Sequence, residues 1–404
     1  MKVINPFDDA VYEVLNGKHS KIANIIQNEA LRQQENIELI ASENYPSFEV
    51  RAAMSSVFQN KYAEGYPLAR YYGGCEYIDE LEAYCQEEWL KVFNVTDSYK
   101  VNVQPHSGSQ ANMAAYRAIL HNGDTVMSLG LNEGGHLTHG SAVNFSGHDY
   151  NFIHYGLNGE GRINYEELYN LAQTYKPKLI IAGASAYSRE INFDIFRMVA
   201  DDVGAFFMVD MAHIAGLIAA GDHKNPFGLA DIITTTTHKT LRGPRGGLIF
   251  CKPELFKKVN SAVFPGIQGG PLEHVIAAKA ICAEEAQTDE YKNYIHQVVK
   301  NSKAFAEEMQ KRGYDIVTGG TDNHMFLIDF SKTHPRLTGA RVQDELDKHN
   351  ITLNKNCVPN ERRSVIQTSG VRIGTPAMTT RGWDVEDFTN AAEKIDRIIK
   401  NIGD

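Results

Sequence analysis

Residues Thr234 to Gly247 read TTTTHKTLRGPRGG, with Ile232 and Ile233 in front and Leu248-Ile249-Phe250 behind. A β-branched run that ends in small polar residues is a buried strand reaching its exposed end. The Gly-Pro-Arg-Gly-Gly that follows forces a turn back into the next apolar run. Lys239 therefore sits on a loop at a strand end. Most lysines are solvated charges, but one set among hydroxyls, a histidine and such a turn is placed to lose its proton and act as an amine nucleophile. The spacing alone leaves imine chemistry and a structural loop both open.

Working outward, strand-like and helix-like stretches alternate. Val101 to Val103, Asp124 to Leu129, Phe152 to Tyr155, Leu179 to Ala182 and Ala205 to Val209 read as strands, and Ile78 to Phe93 and Ala111 to Leu120 as helices. This order describes an open α/β sheet, in which ligands gather at the carboxyl ends of the strands. Asp210 stands at such an end, and a carboxylate there is functional or paired, because burying it alone is costly. Ser107-Gly108-Ser109-Gln110 opens a helix with small residues, whose free backbone N–H groups can hold a phosphate; ordinary capping is the competing reading. Leu131 to Gly140 is glycine-rich with two histidines three apart, too rich in glycine for a helical metal site, so His136 is better suited to stacking on a flat ligand. No metal site is expected.

The flanks are less specific. Ser20 to Leu31 fits an amphipathic helix capped by Ser20, and Ile37 to Asn44 a short strand running into a loop. Asn60 to Glu76 is dense in tyrosine, glycine and charge without a period, so Tyr62, Glu64, Tyr71 and Tyr72 can supply acid/base groups, a stacking surface or a subunit interface. Glu290 to Arg312, Arg341 to His349 and Asp384 to Ile402 read as helices and His324 to Phe330 as a strand. Residues 1–45 are expected to form an N-terminal helical segment, 46–285 a large α/β domain and 286–404 a smaller α+β domain.

With 404 residues and 43% hydrophobic content the chain can bury more than one core. A formal charge of -10 argues against a nucleic-acid partner, and no stretch resembles a membrane span. Met1 to Asp9 lacks a basic segment followed by an apolar run, so a cytoplasmic protein is expected. The five cysteines are scattered, without a Cys-x-x-Cys pair, and read as reduced thiols.

A phosphate-holding helix start, an acid for a ring nitrogen, a stacking histidine and an amine are together the fittings of pyridoxal 5'-phosphate, whereas the glycine fingerprint of a nicotinamide enzyme is missing. NKYAEGYP from Asn60, RYYGGCE from Arg70, NVQPHSGSQAN from Asn102, GGHLTHG from Gly134, VDMAHIAGL from Val209, FPGIQGGPLEH from Phe264, TDNHMFLID from Thr321 and TSGVRIGTPAMTTRG from Thr368, with the Lys239 stretch, resemble serine hydroxymethyltransferase in collinear order from about Ile37 to Gly382.

The resemblance implies a fold type I pyridoxal-phosphate transferase, aspartate aminotransferase-like, and a homodimer, with a tetramer also open. Lys239 would carry the cofactor through its amine, with Thr236 and His238 beside it. Asp210 would pair with the ring nitrogen, His136 would stack, and Ser185 and His213 would contact the ring hydroxyl side. Ser107, Gly108 and Ser109, with Gly270 of the neighbouring subunit, would bind the phosphate. Ser42 and Arg372, with Tyr72 and His213, would grip the amino acid, L-serine or glycine. Glu64 would shuttle a proton, with Tyr62 and Tyr72, in the neighbouring subunit's site, and Tyr71, Leu131, Gly135, Leu137, Asn356 and Ser364 would join it around tetrahydrofolate. Three positions depart from the family pattern: Leu68 where glycine is usual, Glu133 where histidine is frequent, and Ser364-Val365-Ile366 in place of Ser-Pro-Phe. All three lie on the folate side, and they are the support for the alternative, a folate-independent aldolase or transaldolase acting on glycine, threonine or other β-hydroxy amino acids.

Overall fold

The computed structural model describes residues 6–402. Of the N-terminal stretch read above for a leader, residues 1–5 lie outside the described residues. Seven strands form the central sheet: β1 (Lys100–Asn102), β2 (Thr125–Leu129), β3 (Asn151–Tyr155), β4 (Leu179–Ala182), β5 (Phe206–Asp210), β6 (Ile232–Thr236) and β7 (Gly247–Cys251). Their spatial order is β1-β7-β6-β5-β4-β2-β3. From β3 to β6 all neighbours run parallel, and β7 lies antiparallel between β6 and β1. The Gly-Pro-Arg-Gly-Gly turn explains that reversal, since β6 folds straight back onto β7 with Thr236 opposite Gly247.

Side chains alternate between two apolar layers, as a sheet covered on both faces requires. Phe207, Val209, Ile233, Leu248 and Phe250 enter one layer with Trp89, Phe93 and Phe196. Met208, Ile232, Ile249 and Cys251 enter the other, under Ala111, Ala115 and Tyr116 of the helix Gly108–Ile119. A third core gathers Phe305, Met309, Phe326, Ile373, Phe388 and Ile395 around a four-stranded antiparallel sheet. Its strands are β8 (Asp315–Ile316), β9 (Met325–Asp329), β10 (Asn354–Asn356) and β11 (Gly370–Gly374), in the order β8-β9-β11-β10. The helix Asp289–Lys311 joins the cores: Tyr291 to Val299 pack on the large sheet, Phe305 to Met309 on the small one.

The N-terminal expectations are sharpened. The helical stretch Pro6–Glu35 is two helices divided at His19 (φ -132°, ψ 44°), so the second begins at Ser20, with His19 in the non-helical position before it. Ile37 to Asn44 holds a two-residue strand, Ile37–Glu38, paired in parallel with Ile351–Thr352, after which the backbone turns, Glu43 N–H donating to Ile40 O at 3.0 Å. The tyrosine-rich segment holds a small hairpin, Gly65–Tyr66 with Ala69–Arg70, whose tight turn puts Leu68 at φ 64°. Among the described residues no helix is long and apolar enough to cross a membrane.

Candidate active site

The carboxyl ends of β5 and β6 and the start of the helix Gly108–Ile119 surround a cavity of about 350 Å³. Ser42, Ser107, Gly108, Ser109, His136, Ser185, Asp210, His213, Thr236, His238 and Lys239 all line it. The lysine loop is fixed from several sides. The Asn44 amide and the Arg242 N–H both donate to the Lys239 carbonyl, at 2.9 and 3.0 Å, and Thr237 Oγ1 donates to Pro244 O at 2.6 Å. Burial pulls the Lys239 ammonium down to about 8, with Arg372 and Arg245 adding to the shift and Asp210 opposing it. An amine so placed is available as a nucleophile near neutral pH.

Asp210 ends β5, as its sequence position suggests. Its Oδ2 accepts from Asn112 Nδ2 at 2.8 Å and faces His139 Nε2 at 3.0 Å, while Oδ1 accepts from the Ala212 N–H at 3.1 Å. Burial alone would raise its pKa, but the His139 hydrogen bond and its neighbours hold it well below the usual carboxylate range. The acid is therefore an anion facing the cavity. His136 is pulled down to about 4 by burial and stays neutral, its Nδ1 2.7 Å from Thr138 Oγ1. His213, also forced neutral by burial, has its Nδ1 3.3 Å from His324 Nε2, and the two rings stack at 5.5 Å.

Arg372 comes from β11, in register with Asn354 of β10. Its Nε donates to Asn354 Oδ1 at 3.0 Å and one Nη to Ser185 O at 2.6 Å. Among the described residues no carboxylate pairs with it, and burial lowers its pKa to about 10. A buried guanidinium without an anion is poised to receive one.

The cavity also fits pyridoxal phosphate. Thr236 Oγ1 and His238 Nδ1 are buried without a hydrogen-bond partner, so two polar atoms await a ligand beside an amine and an anion. Ser107 caps its helix by accepting from Gln110 N, leaving the first backbone N–H groups aimed outward, and a Cβ at Gly247 would stand 2.5 Å from Ser107 O, so the loop after Lys239 closes directly on this helix start.

Glu64, Tyr62, Tyr72 and Gly270 are not brought to this cavity. They cluster elsewhere on the chain: Tyr62 and Tyr72 meet edge to face at 5.4 Å, and Tyr62 packs over Gly270. The Glu64 carboxylate is the main reason the Tyr72 phenol is raised. Tyr71 packs against Phe264, at 5.5 Å between rings. Leu131, Gly135 and Leu137 share the loop of His136, both leucines being exposed, and Asn356 turns its amide to Cys357 O at 2.7 Å. Ser364 is exposed with Val365 and Ile366. Sequence reasoning missed His139, Asn112, His324, Asn354 and the anchoring role of Asn44. Only His139 carried a usable signal, its three-residue spacing from His136. A family model, serine hydroxymethyltransferase, matches residues 15–395. With that match over nearly the whole chain, an amine and an anion in one cavity and an arginine without a carboxylate partner beside it, the chain belongs to the serine hydroxymethyltransferase family.

Proposed function

We propose that this chain reversibly converts L-serine and tetrahydrofolate into glycine and 5,10-methylenetetrahydrofolate. Its family is fold type I and comprises pyridoxal-phosphate-dependent one-carbon transferases, EC 2.1.2.1, with tetrahydrofolate as cosubstrate. When bound, the cofactor supplies an electron sink that weakens bonds at the substrate's α-carbon. Lys239 would hold it through Nζ, Asp210 would keep its ring nitrogen protonated, and His136 would cover one face as a neutral ring. The Ser107–Gly108 helix start would bind the phosphate without cationic side chains, and Thr236 and His238 offer their unpartnered polar atoms.

The observation that carries the reading is Arg372, a buried guanidinium with no anion of its own beside the Lys239 cavity. It would take the substrate carboxylate in a two-pronged grip, with the Ser42 hydroxyl. Glu64 would move a proton between the serine hydroxyl and folate, reaching from a second copy of the chain with Tyr62 and Tyr72, which supports a homodimer with shared sites. Incubation of the cofactor-loaded protein with serine labelled at its β-carbon tests the proposal. Transfer of label to tetrahydrofolate is expected. Release of the carbon as a free aldehyde, at a rate indifferent to folate, would replace the reading with the aldolase, which the departures at Leu68, Glu133 and Val365-Ile366 favour.

A further inference from the structure

We infer that Lys279, which lies outside the Lys239 cavity, is a positioning residue for the phosphate end of the cofactor site. Lys279 lies on the helix Glu273–Ala286 and is 1% exposed. Its ammonium donates to Val103 O at 2.7 Å, Gly247 O at 2.9 Å and Pro105 O at 3.0 Å. All three protons are thus spent on main-chain carbonyls. Two of these belong to the segment running into Ser107, and the third to the residue that closes the Lys239 loop. The same seam carries a backbone hydrogen bond from Gly247 N to Pro105 O at 3.1 Å.

Burying an ammonium costs several kcal/mol unless its hydrogen bonds are complete. An uncharged group would span two segments with fewer donors, so the charge is retained where three carbonyls converge and would otherwise oppose one another. Cys85, Glu82 and Glu273 are the ionisable groups that raise its pKa, while burial draws it down to about 8. The consequence is geometric. Backbone N–H groups bind a phosphate well only when held within about 0.5 Å of the right positions. Lys279 sets the distance between the helix start at Ser107–Gly108 and the strand leaving Lys239, and so the spacing between the phosphate and the amine that would hold the other end of the same ligand.

The inference rests on Ser107–Gly108 being the phosphate cradle, and the experiment separates the two ideas. Apo-protein is titrated with pyridoxal phosphate and with pyridoxal, which lacks the phosphate, and the ratio of the two affinities isolates what the phosphate contributes. Ser107→Ala is expected to reduce that ratio. Lys279→Met is expected to weaken pyridoxal phosphate by about tenfold or more while changing pyridoxal by less than about twofold. Gly246→Ala keeps the charge but places a Cβ 2.4 Å from Lys279 Cε, displacing the side chain, and is expected to act in the same selective way even if Lys279→Met does not fold. An unchanged ratio in Ser107→Ala would remove the cradle reading itself. A reduced ratio there, with Gly246→Ala weakening both ligands equally or neither, would overturn the role of Lys279.

Discussion

Glu273 opens the helix that carries Lys279, and it is 1% exposed with neither carboxylate oxygen hydrogen-bonded. Burial, and then the charge of Glu82, pushes its pKa up from 4.5 to about 8, against the pull of Arg70 and Lys279. The folded chain therefore keeps a proton on Glu273 at pH values where the unfolded chain has lost it. The stabilising contribution of this proton is complete below pH 4.5 and disappears as pH rises towards 8. Within that window the folded state loses about 1.4 kcal/mol per pH unit from this group, which approaches about 5 kcal/mol over the whole range. Glu273→Gln is nearly the same shape and does not ionise, and its charged neighbours Arg70, Asp79, Glu82 and Lys279 are common to both proteins. Urea unfolding of the two proteins, at one protein and cofactor concentration, from about pH 5.5 to about pH 8 should show curves that diverge in favour of the variant at about 1.4 kcal/mol per unit. Parallel curves would show that Glu273 is ionised in the folded state, and the reasoning from its buried, unpartnered oxygens would be wrong.

Arg372→Ala should cost about 2–3 kcal/mol of amino-acid binding, seen as a roughly 30- to 150-fold rise in KM for both serine and glycine with cofactor absorbance unchanged. Leu68→Gly should stabilise the folded chain by about 1 kcal/mol in urea, because Leu68 holds φ 64° while 96% exposed, and a loss of stability would show that the leucine packs on something. Mixing Glu64→Gln with Lys239→Ala protein, each inactive alone, should restore about a quarter of wild-type activity if each site draws on two chains, since half the dimers then carry one intact site. No recovery after verified subunit exchange would place Glu64 and Lys239 in the same chain's site.

The sheet and its reactive edge were legible because both depend on short-range signals. A β-branched run marks β6 and an apolar run β7, the Gly-Pro-Arg-Gly-Gly between them signals their antiparallel pairing, and Asp210 shows its position by ending an apolar strand. Ser107 was equally readable as the cap of the helix that follows. The groups that tune the site are invisible locally. Asn112 reaches Asp210 across 98 residues of sequence, His324 reaches His213 across 111, and Asn354 meets Arg372 only because β10 and β11 pair. Each reads as an ordinary polar residue until the fold supplies its partner. Lys279 is the extreme case, a lysine in an alanine-rich helix whose three acceptors are backbone atoms and therefore leave no mark in the sequence.

Glu64 presents the opposite problem. Its neighbourhood of tyrosine, glycine and charge announced function in the sequence, yet its side chain does not line the cavity of its own chain. The Lys239 cavity holds an anion for the ring nitrogen, with Arg372 beside it for the substrate, and three of its lining histidines, His136, His213 and His238, are driven neutral by burial. A neutral histidine that far below its ordinary value is a poor carrier for a proton that must be both taken up and returned. The Glu64–Tyr62–Tyr72 cluster offers a carboxylate flanked by phenols, and it stands on an exposed ledge, Tyr62 58% and Tyr72 47% accessible, beside Gly270. Exposed aromatic rings around a carboxylate are costly to leave in water and suited to insertion. A second copy of the chain that inserted this ledge would bring the Glu64 carboxylate and the Lys239 amine into one site, and the recovery of activity on mixing Glu64→Gln with Lys239→Ala protein is the outcome that arrangement alone produces.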